Sequence, residues 1–146
     1  MIEKHPCLTP TLTGEVEALI DAVTTADGQS PLNEDAILSR TGGSTGEHLL
    51  LRDGGVLAGY AFHSPTHGTA QLAVHPEHRR RGHGRVLLDA LGADPRVWAF
   101  GDLPPARGLA AASGLVARRG LLLMQRPLTR ADEVPPPEGV ALRPFS

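Results

Sequence analysis

The fold of this chain is decided by Gln71-Leu-Ala-Val-His-Pro-Glu-His-Arg-Arg-Arg-Gly-His-Gly-Arg-Val-Leu-Leu88. The stretch contains a short apolar strand, a turn at Pro76, an arginine- and glycine-rich loop and the first turns of an amphipathic helix. Gly82 and Gly84 lack a Cβ atom, so the backbone there can turn tightly and approach a ligand closely. We expect the peptide N–H groups of residues 80–85 to converge at a helix N-terminus, where an anion such as a pyrophosphate binds.

Composition restricts the class of protein. A chain of 146 residues suits one domain with a proper core, and its net charge of −2 argues against a general nucleic-acid binder. The single cysteine, Cys7, cannot form an internal disulfide, so a reducing cytoplasm is the expected compartment. Because no apolar run approaches about 18 residues and the N-terminus has no basic-then-apolar pattern, we expect neither a membrane span nor a signal peptide.

Apolar spacing and turn residues predict the elements of the first part of the chain. Residues 2–12 are ambiguous and include a candidate first strand. The first predicted helix is capped by Thr13 and ends at Asp27-Gly28, and the second, over Pro31–Arg40, is capped by Ser30 or Asn33 and has Ile37 and Leu38 as its apolar side. A hairpin follows, with strands His48–Arg52 and Val56–His63 around the turn Asp53-Gly54-Gly55. The last predicted elements are a strand over Thr69–Val74, which Pro76 ends, and a helix over about Gly82–Leu91.

The second part of the chain is predicted to continue this alternation of strands and helices. The predicted elements are a buried strand over Val97–Phe100, a helix capped by Asp102 with Pro104 in its first turn, and two extended segments over Leu115–Arg119 and Leu121–Arg126. Trp98 and Phe100 are expected in the core. The order of elements predicts a mixed α/β fold.

The pattern Arg79-x-x-Gly82-x-Gly84 after a strand resembles the acetyl-CoA motif of the GNAT acetyltransferases. It differs from a Walker loop, because no Gly-Lys-Ser/Thr follows, and from a dinucleotide fingerprint, which needs a third glycine and a downstream acidic partner. The resemblance implies an acyl-CoA N-acyltransferase fold, α/β and three-layered with a central, mainly antiparallel sheet, and acetyl-CoA as the acetyl donor. By the same resemblance, the pantetheine lies along Leu72, Ala73 and Val74, and the pyrophosphate is held by Arg80, Arg81, Gly82, His83, Gly84 and Arg85.

Further segments resemble the mycothiol synthase family, in particular its N-terminal half. The resemblance covers essentially residues 14–146, and the segments that carry it include Asp27-Gly28 with Pro31 and Glu34, Glu47-His-Leu-Leu50, Val74-His-Pro76, Phe100-Gly-Asp-Leu103 and Leu123-Met-Gln-Arg-Pro-Leu128. The resemblance implies a tandem pair of GNAT domains in an actinobacterial enzyme that acetylates the cysteinyl amine of a glucosaminyl-inositol precursor. It associates Glu34 with this small-molecule amine substrate and assigns the chemistry to the C-terminal unit.

The chain is expected to be a piece of a longer polypeptide. Residues 1–128 are predicted to form the GNAT domain, and residues 129–139 a proline-rich, acidic linker. Residues 140–146 resemble the first strand of a second GNAT domain that the chain lacks. Because linkers rarely form the terminus of a compact domain, we expect truncation, with the missing C-terminal GNAT domain as a partner.

No catalytic residue is assigned from the sequence. The family pattern for the helix after the next strand, Asn-x-x-Ala-x-x-x-Tyr-x-x-x-Gly-Phe, contains the tyrosine that protonates the leaving thiolate. The aligned residues 103–115 of this chain lack both the Asn and the Tyr. Tyr60, the only tyrosine, is expected to fill the core under the hairpin. We therefore expect this unit to bind the cofactor and to be catalytically degenerate.

Three loop histidines, His75, His78 and His83, raise the question of a metal site. They are interpreted as solvated side chains, because no cysteine or carboxylate pair accompanies them in register, and no metal is predicted. Cys7 is not expected to be a nucleophile, because no activating base lies near it in the sequence.

Several interpretations of function remain open. The leading one is an acetyl-CoA-dependent N-acetyltransferase resembling mycothiol synthase, of which this chain is the N-terminal half. The alternatives are a non-catalytic acetyl-CoA-binding or scaffold domain, which the missing Asn and Tyr favour, and a general small-amine GNAT acetyltransferase. A nucleic-acid contact through Arg79–Arg81 is opposed by the net charge of −2 and the scarcity of aromatic residues.

Overall fold

The structure is a computed structural model that describes residues 1–42, 45–130, 134–141 and 143. The chain divides into two units, Met1–Val116 and Ala117–Ser146. The helices and strands of the described residues all lie in the first unit: β1 (Ile2–His5), α1 (Pro10–Asp27), α2 (Glu34–Ser39), β2 (Glu47–Asp53), β3 (Val56–Ser64), β4 (Thr69–Val74), a 3-10 turn (Pro76–His78), α3 (His83–Ala90), a second 3-10 turn (Phe100–Asp102) and α4 (Pro104–Ala112).

The sheet is antiparallel, and its strands follow chain order. Within the described part of the chain it has four strands in the order β1-β2-β3-β4. The β2–β3 turn contains Gly54 at φ 62° and Gly55 at φ 87°. Positive φ at both central residues is the hairpin geometry that matches the twist of the strands, which explains why Asp-Gly-Gly predicts this turn correctly. The hairpin fixes the register on which both faces of the sheet depend.

Helices cover both faces of this sheet. On one face, buried residues of α1 such as Val16, Leu19 and Val23 pack with Tyr60 and Phe62 of β3. On the other face, Leu87 of α3 packs with Leu49, Leu51, Ala58 and Ala61. The strands alternate between the two layers as a period of two requires, except where the β2–β3 register shifts between Leu51 and Arg52 and places Ala58 and Ala61 in the same layer. This is the three-layer, mainly antiparallel α/β arrangement that the sequence predicts.

The first two helices differ in detail from the prediction. Helix α1 begins at Pro10, with the Thr9 side chain accepting from the Leu12 N–H, whereas Thr13 donates to the carbonyl of Arg40. The physical reason is that Thr9-Pro10 supplies both a cap and a proline at the first helical position. Helix α2 is shorter than predicted and is capped by Asn33. Its expected apolar side is wrong: Ile37 and Leu38 are exposed, and Ala36 and Leu32 are buried instead.

The segment after α3 contains less regular structure than predicted. Val97 forms one isolated parallel bridge with Ala70 and no strand, and Trp98 and Phe100 are half-buried. Asp102 is not a helix cap, because Leu103 holds that position and the Asp102 carboxylate accepts from the Arg107 guanidinium. No strand occurs among the described residues of 115–126, so the two predicted extended segments do not pair into the sheet in this part of the chain.

The second unit, Ala117–Ser146, contains no helix or strand in its described residues. Leu121, Leu122, Leu123 and Met124 are all exposed, and the Val140 N–H donates to the Pro137 carbonyl. The domain limits at 128 and 139 stay predictions. Residues 131–133 of the predicted linker, and residues 142 and 144–146 of the predicted second domain, lie outside the described residues. In the part of the chain that the structure describes, no helix has the length and apolar character of a membrane span.

Candidate functional site

The candidate site begins at the free edge of β4. The backbone of Ala70 pairs with the segment after α3, since its N–H donates to Arg96 O at 2.8 Å and its carbonyl accepts from Trp98 N at 3.0 Å. This is the only residue of β4 that makes such a bridge within the described ranges. Beyond Ala70 the two segments separate, so the remainder of β4 has β3 on one side and an open edge on the other.

The open edge presents backbone groups that no strand of the described residues satisfies. Because alternate residues of a strand direct their N–H and C=O groups to opposite neighbours, Leu72 and Val74 face the same way as Ala70, away from β3. The Val74 carbonyl accepts from Arg79 Nε at 3.2 Å. Among the described residues, no backbone hydrogen bond satisfies the Leu72 groups or the Val74 N–H on this edge. An extended ligand with amide groups can therefore pair with it as a further strand does.

Arg79, the first of three consecutive arginines, has a structural role. Its Nη1 and Nη2 atoms donate to the two carboxylate oxygens of Asp27, each at 2.8 Å. The pair is largely buried, with 25% of the Arg79 side chain and 17% of the Asp27 side chain exposed. Because the same guanidinium also holds the Val74 carbonyl, it connects the end of α1 to the end of β4. Arg79 thus positions the loop and is not free for a phosphate.

Arg80, the second arginine, is exposed and stands at φ 63°. A non-glycine residue in the left-handed region is uncommon, and the strain is concentrated at functional turns. Gly82 follows at φ 85° and is the N-cap of α3, without a side-chain cap. The first-turn N–H groups of α3 have no intrahelical acceptor, so this end of the helix offers donors and a positive dipole to an anion.

Gly84 and Arg85 both contribute to the contact between α3 and α4, and their role in cofactor binding stays a prediction. A Cβ atom on Gly84 would stand 3.0 Å from Leu109 Cδ2, so this glycine lets α4 approach α3. Arg85 Nε donates to Asp89 at 3.0 Å, and its Nη1 donates to the Ala112 carbonyl at 3.2 Å. Both residues therefore contribute to the α3–α4 contact, with the Nε and Nη1 atoms of Arg85 engaged there and 54% of its side chain exposed.

His83 and Arg81 both contact Asp53, the last residue of β2. His83 Nε2 and His78 Nδ1 each lie 3.2 Å from Asp53 Oδ2, and Arg81 Nη1 lies 3.3 Å from the same oxygen. Hydrogen bonds from His78 first, and then from His83 and Arg81, lower the pKa of the Asp53 carboxyl. The sequence-based interpretation of these histidines did not include Asp53, because only the fold of the hairpin brings this carboxylate to His78 and His83.

Tyr60 is a core residue, as the sequence predicts. It is fully buried, and its Oη lies 2.8 Å from Nδ1 of the buried His48. Burial raises the pKa of the Tyr60 phenol, and burial, assisted by the charges of His5 and Arg40, lowers the pKa of His48 to about 4. A phenol in this position has no path to a thiolate on the β4 edge. Glu34 is exposed in the first turn of α2, and its role stays a prediction.

Sequence reasoning missed Asp27 and Asp53, the carboxylates that contact the arginine loop, residues 79–85. It also missed Gln71, which is buried on β4 with neither amide atom partnered among the described residues. The apolar pattern of β4 gave no indication that a buried polar side chain is tolerated there. The Asp27-Gly28 pair marked a helix end but not its contact with Arg79.

The fold, an antiparallel sheet with helices on both faces and an arginine- and glycine-rich loop before α3, agrees with the sequence comparison. Residues 44–118 match the family described as the acetyltransferase (GNAT) domain, so the chain belongs to the GNAT acetyltransferase family. Acetyltransferase domains of this family use acetyl-CoA in general.

Named relatives make the assignment more specific. The chain is 46% identical over 148 residues to the mycothiol acetyltransferase of Thermomonospora curvata, covering 94% of this chain and 50% of that protein. It is 47% identical over 138 residues to the mycothiol acetyltransferase of Thermobispora bispora, covering 89% of this chain and 47% of that protein. The corresponding protein of Kineococcus radiotolerans is 43% identical over 145 residues, with 89% and 48% covered. The chain spans about half the length of the curated relatives it matches, and the resemblance to mycothiol synthase is confirmed.

Proposed function

We propose that this chain is the acetyl-CoA-binding unit of a mycothiol synthase-type N-acetyltransferase. The observation that carries the proposal is the continuity of the open β4 edge with the uncapped N-terminus of α3. The pantetheine lies along Leu72, Ala73 and Val74, with its amides paired to the free backbone groups of Leu72 and Val74, and the pyrophosphate binds the loop and first-turn N–H groups of residues 80–85. In acetyl-CoA the pantetheine is joined to the pyrophosphate. In the protein the open β4 edge is likewise followed by the anion site at the N-terminus of α3.

The three arginines contribute unequally to this binding. Arg80 supplies the charge for the pyrophosphate, because Arg79 is committed to Asp27 and Arg81 is shared with Asp53. Arg81 is 56% exposed and can turn from Asp53 to a phosphate at small cost. Arg85 adds long-range attraction and its backbone N–H. The side chain of His83 stays directed at Asp53, so its contribution is also the backbone N–H.

Titration calorimetry with acetyl-CoA tests this assignment. Arg80→Ala is expected to weaken binding about tenfold, because one charge-assisted phosphate contact is lost, and Arg80→Ala with Arg81→Ala more than that. Arg107→Ala is the matched control, since it removes an exposed arginine whose ion-pair partner, Asp102, is outside residues 79–85. Unchanged affinity in the double variant, or equal weakening in the control, would contradict the loop assignment.

The reaction proposed for the whole protein is acetyl transfer from acetyl-CoA to the cysteinyl amine of the glucosaminyl-inositol precursor of mycothiol. The names of the relatives support this acceptor, and Glu34 is the proposed contact for it. This unit binds the donor, whereas the chemistry belongs to a second GNAT domain that acts as its partner. The residues support that division: the chain has one tyrosine, which is buried, and Pro104–Ala112 contains neither Asn nor Tyr.

A non-catalytic binding or scaffold role is the second candidate, and the burial of Tyr60 favours it for this unit taken alone. Thiol release with the cysteinyl pseudodisaccharide distinguishes the two. The assay compares this chain alone with the chain added to the C-terminal half of the Thermomonospora curvata relative. Binding of acetyl-CoA without turnover by the chain alone is the expected result. Turnover by the chain alone would refute the supporting role, and turnover with a simple amine would favour a general small-amine acetyltransferase.

A further inference from the structure

A cluster of two imidazoles and a carboxylate lies beside the arginine loop, where the proposed function does not use the side chains. It consists of Asp53, His78 and His83, whose candidate ligand atoms all lie within 4.8 Å of one another. The three residues come from the end of β2, the 3-10 turn and the first residue of α3. Their convergence depends on the tertiary fold and not on sequence spacing.

We propose that Asp53, His78 and His83 form a binding site for a divalent transition metal ion, with Zn²⁺ as the ion that the donor set fits. Two imidazole nitrogens and one carboxylate oxygen are the three-protein-ligand set of zinc sites that keep a fourth position for water. Hard ions such as Mg²⁺ prefer a shell of oxygen ligands and are not expected to bind here. The site rests on side chains alone and does not depend on acetyl-CoA binding.

The distances fit such an ion. Ligand bonds of about 2.0–2.1 Å in tetrahedral geometry separate two ligand atoms by about 3.3 Å. His78 Nδ1 and His83 Nε2 each lie 3.2 Å from Asp53 Oδ2, so two of the three ligand separations are already those of a zinc site. The third separation, between the two histidine nitrogens, is at most 4.8 Å and closes by small rotations of the rings.

Burial and charge also favour binding. Only 18% of the His78 side chain and 16% of the His83 side chain are exposed, so both rings are held in place and partly dehydrated before an ion arrives. Asp53 is 37% exposed, which leaves a side open for entry and for a water ligand. Arg81 is the competing cation, with Nη1 3.3 Å from Asp53 Oδ2, and its exposed guanidinium can move into solvent when the ion binds.

The experiment titrates untagged, chelator-treated protein with ZnSO₄ by calorimetry. It uses a Cys7→Ser background, because Cys7 is an exposed thiol that could bind zinc elsewhere. The expected result is one Zn²⁺ per chain, a rise in Tm with Zn²⁺ and no rise with Mg²⁺. His78→Ala and His83→Ala are each expected to weaken zinc binding by at least about tenfold, as is Asp53→Asn, which keeps the volume and removes the charge. His63→Ala, which removes a half-buried imidazole of β3, is the matched control.

A measurement on the protein without ligand substitutions guards against variants that fail to fold. Zn²⁺ is expected to shift the ring ¹⁵N resonances of His78 and His83 and to leave those of His63 unchanged. Absence of zinc binding would overturn the proposal, and so would binding that survives both His78→Ala and His83→Ala. Ring shifts confined to other histidines would overturn it as well. None of these outcomes depends on acetyl-CoA, so failure here is distinguishable from failure of the proposed function.

Discussion

The buried imidazole of His48 makes the stability of this fold depend on pH in a defined range. His48 lies on the sheet face that α1 and α2 cover, with no exposed surface and with Tyr60 Oη at 2.8 Å. Burial, and then the nearby charges of His5 and Arg40, lower the pKa of His48 from 6.5 to about 4. The folded protein therefore holds a neutral ring at a pH at which the unfolded chain is already protonated.

The sign and size of the effect follow from this difference in pKa. Because the pKa of the folded state is the lower one, the stabilisation is complete above pH 6.5 and is lost as the pH falls towards 4. Between pH 7 and pH 5, proton binding by the unfolded chain lowers the free energy of unfolding by about 2 kcal/mol, and by about 3 kcal/mol at pH 4. A loss of this size is a large fraction of the stability of a small domain.

Urea unfolding followed by circular dichroism at pH 7, 6 and 5 measures the effect. His48→Asn is the test variant, because its amide can replace Nδ1 beside Tyr60 and does not titrate. The variant is expected to be less stable at pH 7 and to lose about 2 kcal/mol less than the wild type on going to pH 5. His63→Asn, which removes a half-buried imidazole of β3, is the matched control. Equal pH dependence in wild type and His48→Asn, or a His48 ring that titrates near 6.5 by NMR, would refute the reasoning.

Two further substitutions test the loop geometry by chemical unfolding. Arg79→Met is expected to cost about 2 kcal/mol, because a largely buried Asp27 loses two charge-assisted hydrogen bonds, whereas Arg107→Met, at an exposed ion pair, should cause no measurable change. Equal stability of the two variants would contradict the structural role of Arg79. Gly82→Ala is expected to cost about 1–2 kcal/mol, because at φ 85° the backbone is in the left-handed region, where an added Cβ comes too close to the following carbonyl oxygen. Gly108→Ala, in an open position of α4, should raise stability by up to about 1 kcal/mol, and a loss there would show that the helix context is wrong.

Local chemistry explains which elements the sequence predicts well. The Asp53-Gly54-Gly55 turn, the strand over Thr69–Val74 and its end at Pro76 are specified by residues within a few positions of each feature. Gly28 ends α1 in the left-handed conformation, as expected of a glycine after a helix. The missed start of α1 was also locally encoded, since Thr9 and Pro10 together are a cap followed by a proline at the first helical position.

Contacts between distant residues explain what the sequence could not reveal. Val97–Phe100 has the composition of a strand, but a strand also needs a partner along its length, and only Val97 has one in the described part of the chain. Arg79 and Asp27 are separated by 52 residues, and His83 and Asp53 by 30 residues. No spacing rule connects residues so far apart, so both carboxylates became visible only with the fold.

The two carboxylates account for the different roles of three adjacent residues that look equivalent in the sequence. Asp27 neutralises Arg79 from the α1 side, and Asp53 partly neutralises Arg81 from the hairpin side. The largely buried Arg79–Asp27 pair fixes the start of the loop, and Arg80 next to it stands at a positive φ with its guanidinium exposed. A loop fixed in this way presents an exposed cation and the N-terminus of α3 without a large reorganisation. Donors that converge on one place favour the binding of a diphosphate, whose charge is concentrated. A polyanion with charge spread along its length would instead need an extended positively charged surface.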